Sequence, residues 1–176
     1  VSSEVWMLFE AYLNYLAYIG RVSIPGASAG STPRLSRFVN DIPGFSRDKR
    51  GMNIPIIVLQ AIFAIAQKRY EVAATRIDAI GKYAMRHLRE GDTLRSNVCI
   101  RMLQTVKDAG FNQIAVERRA KKWIEKLLRY PKQYSNYEIE IIPYESLWNL
   151  IVASLDSKTQ YHSSSGRPSR GNDPRP

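Results

Sequence analysis

Cysteine is almost missing from this chain: 176 residues contain one, Cys99. A single thiol cannot form an intrachain disulfide or a cysteine-based metal site, and it fits a reducing compartment such as the cytoplasm. Histidine occurs only at His87 and His162, too far apart for an H-E-x-x-H type of metal motif. Long apolar runs are also lacking. Val5 to Ile19 spans 15 residues and contains Glu10 and Asn14, whereas a membrane span needs about 20 mostly apolar residues. No basic leader with a small-residue cleavage site opens the sequence. The expectation is a soluble, cytoplasmic chain with no membrane partner. It starts at Val1 with a helical face from residue 2, which suggests a piece of a longer chain.

Acidic residues are in deficit. Lys and Arg number 26 against 16 Asp and Glu, for a formal charge of +10. With 44% hydrophobic and 24% charged residues, the composition is that of a globular domain and excludes disorder throughout.

Glycine and proline divide the chain into amphipathic segments. Seven helices are predicted, over about 3–19, 33–40, 54–68, 70–89, 93–109, 113–130 and 143–155. Gly20 stands where a left-handed residue ends a helix, and Gly91 and Gly110 supply later stops. Asn53 and Asn112 stand where a side chain can cap one, and Pro131 ends the segment before it. In the first helix Val5, Trp6, Phe9, Leu13, Leu16 and Ala17 form the expected inner stripe. Tyr12, Tyr15 and Tyr18 lie off it, available to a partner or to a preceding repeat. The third predicted helix is apolar nearly all round from Ile54 to Ala66 and must be covered on several sides. Later inner stripes are Ala73, Ile77, Ile80, Ala84 and Leu88; Val98, Cys99, Met102, Leu103 and Val106; Val116, Ala120, Trp123, Ile124 and Leu127; and Leu147, Trp148, Ile151, Val152 and Leu155. Residues 23–33 read as an exposed loop, and 137–142 alternate like an extended segment without a partner strand. Residues 157–176 hold almost no large apolar side chain and are expected to be a disordered tail. Residues 1–156 then form one helical-repeat domain.

Short connections between these segments favour antiparallel neighbours. Corresponding helices recur about 40 residues apart, so the expected fold is all-α: stacked antiparallel helical hairpins, an α-solenoid. Lys68-Arg-Tyr-Glu-Val-Ala73, with Ala61 at the small position of the preceding helix, resembles the tetratricopeptide (TPR) element in which a Tyr precedes a packed Ala. Ala64 and Ile77 depart from its aromatic positions, and the period exceeds the usual 34. The wider stretch is similar to uncharacterised bacterial TPR-like proteins, from Phe38 through 45–55 to Ile141-Ile-Pro-Tyr-Glu-Ser-Leu-Trp148. That resemblance implies helical hairpins near the C-terminal end of a longer chain, with no established activity and no functional residues to carry over.

Four groups of residues could carry chemistry. Residues 113–132 hold seven cations, Arg118, Arg119, Lys121, Lys122, Lys126, Arg129 and Lys132, against Glu117 and Glu125. Arg47, Lys49 and Arg50 form a second basic cluster. Such a face can attract an acidic protein or neutralise phosphates, with Tyr130 and Tyr134 able to stack on bases; it can also be plain solvated surface. Glu138 and Glu140 fall on one side of an extended segment, yet no second catalytic element accompanies them. Cys99 reads as a buried apolar residue, and His87 suits a helix C-terminus. The aromatic positions of the first helix complete the set. The function expected is a non-catalytic protein- or peptide-binding scaffold, and the alternative is a nucleic-acid-binding accessory module on the same basic residues. Neither an enzyme nor a cofactor is expected.

Overall fold

The computed structural model of the protein describes residues 3–23, 53–88, 94–130 and 140–157. The helix predicted over 33–40, the basic residues Arg47, Lys49 and Arg50, and the tail from 158 lie outside them. The fold is all-α. The described residues form six helices: α1 (Ser3–Tyr18), α2 (Asn53–Ala66), α3 (Tyr70–His87), α4 (Leu94–Asp108), α5 (Gln113–Arg129) and α6 (Tyr144–Ala153). No strand occurs among them, and a lone parallel bridge joins Asn112 to Asp156. None of these helices is long and apolar enough to cross a membrane.

Three helices end in the same way. After α1, α2 and α4 a residue turns left-handed: Gly20 at φ 73°, Lys68 at φ 60° and Gly110 at φ 62°. The paired backbone bonds of a Schellman turn close each end, as in Lys68 N–H to Ile65 O and Arg69 N–H to Ala64 O. Lys68 holds a conformation that favours glycine. Its ammonium extends to the carbonyl of Ser154 at 2.7 Å and to Asp156 at 2.8 Å. At the third turn Phe111 is also left-handed, at φ 57°, and its buried ring stacks on Tyr70 at 4.7 Å.

These turns fold α2 against α3 and α4 against α5, and α3 packs on α4. α1 lies on α2, and α6 lies on both α5 and α2. The last helix therefore returns to the first hairpin. Its far end is held by the Lys68–Asp156 pair, by Tyr70 Oη donating to Asp156, and by the Asn112 amide donating to the carbonyl of Ser157.

The Ile54–Ile65 stretch is the centre of the core. Ile54, Val58, Leu59, Ala61, Ile62 and Ile65 are all at most 2% exposed. Burying each of these Val, Leu and Ile side chains contributes about 1.5–3 kcal/mol. The stripes predicted for α3, α4, α5 and α6 face inward, with Leu88, Trp123, Ile124 and Val152 half-buried.

α1 departs from its expected orientation. Leu8, Ala11, Tyr12 and Tyr15 are buried, whereas Trp6, Phe9 and Leu13 are exposed. This helix is apolar on both sides, so hydrophobicity alone does not choose its face. Tyr12 is settled inside because its hydroxyl donates to the Pro55 carbonyl at 2.8 Å, which removes the cost of burying a phenol. Burial pushes the Tyr12 phenol well above its usual pKa, with Cys99 and Tyr15 adding to the effect. Burial pushes the Tyr15 phenol up to about 12, against smaller opposing effects from Ser154 and Arg21.

Candidate functional site

α5 begins and ends by local chemistry. Asn112 is extended at φ −82° and ψ 120°, and its side-chain oxygen accepts the N–H of Ala115 at 2.9 Å. At the other end Tyr130 N–H bonds the carbonyl of Leu127, and Pro131 follows. Val116, Ala120 and Leu127 are buried, with Trp123 and Ile124 beside them. Helical geometry then turns Arg118, Arg119, Lys121, Lys122, Lys126 and Arg129 outward, and all six are exposed.

These six cations serve different purposes. Arg119 donates to the carbonyl of Asp108 at 2.7 Å and so closes the end of α4. Lys122 holds its ammonium 4.9 Å from the centre of the Trp123 ring, within cation–π range. Lys122, Lys126 and Arg129 line a shallow depression of about 350 Å³ together with Glu125 and Tyr130. Arg118 and Lys121 occupy the neighbouring stripe with Ile114 and Leu128. Those two apolar side chains are 64% and 63% exposed. The ion pairs found among the described residues, Lys68–Asp156, Arg95 with Glu140 and Glu145, and Lys107–Asp78, use none of the six cations.

The other candidates separate in space. Glu140 is buried, with its side chain 1% exposed, and Glu138 lies outside the described residues. Glu140 is consumed by Arg95, a residue the sequence reading passed over. Arg95 Nε donates to Glu140 at 2.6 Å, and Nη2 donates to Glu140 at 3.1 Å and to both oxygens of Glu145 at 2.9 Å. Nη1 donates to the carbonyls of Leu127 at 3.2 Å and Tyr130 at 2.5 Å. The second Glu140 oxygen also accepts the N–H of Tyr144, the first residue of α6. One guanidinium thus joins α4, the end of α5 and the start of α6. Burial opposes its charge, but hydrogen bonds and charge from Glu140 and Glu145 reverse that effect and hold Arg95 above its ordinary pKa. The sequence did contain the signal. Arg95 stands one turn before Val98 and Cys99, in register with a buried stripe.

Cys99 is buried and free of disulfides. His87 is the last residue of α3, and His162 lies outside the described residues. No group of three or more His, Cys, Asp or Glu suited to a metal ion occurs among the described residues. Ile114 and Leu128 lie off the inner stripe among the cations of α5, so the apolar pattern of the sequence does not mark them as an exposed pair. No family model, curated protein or solved structure matches this chain.

Proposed function

We propose that this chain is a cytoplasmic, non-catalytic binding module of TPR-like stacked hairpins, and that the outer face of α5 takes an acidic segment of a partner protein. One observation carries this reading. Arg118, Lys121, Lys122, Lys126 and Arg129 form no ion pair among the described residues and share their face with exposed Ile114 and Leu128. Cations attract and orient an acidic partner, while exposed aliphatic side chains supply the area that desolvates on contact. Nucleic acid has less use for the aliphatic residues. It remains the second reading because Tyr130 borders the depression beside Lys122, Lys126 and Arg129, an arrangement that suits a stacked base among phosphates.

A titration with poly-glutamate, generic DNA and generic RNA at two salt concentrations tests both. Poly-glutamate is expected to bind at low salt, and Lys121→Glu with Lys122→Glu is expected to weaken it at least tenfold. Unchanged affinity in that double variant would falsify the assignment to α5. Tighter binding of DNA or RNA than of poly-glutamate at matched salt would favour the second reading.

A further inference from the structure

The exposed face of α1 has no role in the fold just described. Trp6, Phe9 and Leu13 are 65%, 46% and 45% exposed, and the rings of Trp6 and Phe9 lie 6.3 Å apart. Their i, i+3, i+7 spacing places them on one line along the helix. Glu10 is exposed beside them. In a chain of charge +10, α1 carries Glu4 and Glu10 and no cation. On the exposed face, Glu10 is the carboxylate among the described side chains, so an aromatic surface with one negative charge lies on a basic molecule.

We infer that this surface docks on the outer face of α5 of a second copy, in a head-to-tail contact. The inference rests on the reading of α5 as a protein-binding face, and it names the partner. Two observations select it. The first is spacing: Trp6, Glu10 and Leu13 recur at i, i+4 and i+7, as do Ile114, Arg118 and Lys121. Parallel alignment of the two helices sets Trp6 over Ile114, Glu10 against Arg118, and Leu13 along the methylene stem of Lys121. The second is charge. An α1-to-α1 contact would bring Glu10 of each copy together with no cation on either helix, and an α5-to-α5 contact would join two basic faces. Only the mixed contact pairs opposite signs.

A contact between unlike patches leaves one of each patch free on every pair, so it propagates. The full chain is therefore expected to form chains or rings whose size grows with concentration and falls with added salt.

Two variants test this. One carries Trp6→Gln and Leu13→Gln; the other carries Ile114→Gln and Lys121→Glu. All four side chains are exposed, and circular dichroism checks that each variant folds. In sedimentation at low salt, each variant alone is expected to be monomeric, while an equimolar mixture forms a one-to-one dimer through the single intact pair of patches. A monomeric wild type at every concentration would overturn the inference, as would a mixture that stays monomeric. Self-association that persists in the α5 variant would overturn it too, and would show an α1-to-α1 contact. Poly-glutamate binding to the wild type separates the two readings. If it survives while self-association is absent, only the choice of a second copy fails. If it is absent as well, the reading of α5 fails with it.

Discussion

Arg95 shows how much one side chain can hold. Its side chain is 4% exposed, and its donors meet two carboxylates and two helix-end carbonyls. Replacing it with Met leaves Glu140 buried without its cation and the carbonyls without a donor. Breaking a buried pair in this way costs about 3–5 kcal/mol. Arg95→Met is therefore expected to lower the urea midpoint sharply, whereas Arg118→Met on the exposed face should change the unfolding free energy by no more than about 0.5 kcal/mol. Tyrosines set the alkaline limit. The Tyr15 phenol is raised to about 12, and burial raises Tyr12 and Tyr144 as well, Tyr144 with a contribution from Cys99 that its hydrogen bond to Ser96 opposes. A raised pKa means that the folded state keeps its proton while the unfolded state releases it above pH 10. Stability from Tyr15 is complete below pH 10 and is lost as pH rises toward 12, on the order of 3 kcal/mol in all. Tyrosinate absorbance should rise for these residues together with loss of helix; a rise without unfolding would contradict their burial.

At the scale of the element, the Lys68 turn offers a direct comparison of two effects. Glycine at this left-handed position would relieve about 1 kcal/mol of backbone strain. It would also remove the Lys68–Asp156 pair, whose partners are 44% and 51% exposed, and such pairs contribute about 0–1 kcal/mol. Lys68→Gly should thus leave thermal stability unchanged or slightly raised, and Lys68→Ala, which loses the pair and keeps the strain, should lower it. The sequence made most elements legible for a physical reason. Glycines at Gly20 and Gly110, the Asn112 cap and one-sided apolar stripes in α3 to α6 each point to a single arrangement. α1 was less legible because both its sides are apolar, and the Tyr12–Pro55 bond that decides between them links residues far apart in the chain. Lys68 gave no signal at all, since lysine seldom ends a helix in this way and its partners come from beyond α6. The candidate face on α5 was visible as charge. Its depression and the exposure of Ile114 and Leu128 depend on how the helix rotates against α4 and α6.

Across the whole molecule, α6 decides the character of the fold. A row of repeats in which each unit touches only its neighbours can fray or be shortened one unit at a time. Here α6 is anchored to α4 by Arg95 and reaches α2 and Lys68 at its other end. The hairpins cannot part without also releasing it. Urea unfolding followed by circular dichroism and by tryptophan fluorescence should therefore give one coincident transition, and two separated midpoints would show that the hairpins part independently. Excising 70–109, which a modular array would survive as a smaller copy of itself, should leave a chain that cannot fold, because the last rung of this ladder is fastened to the first.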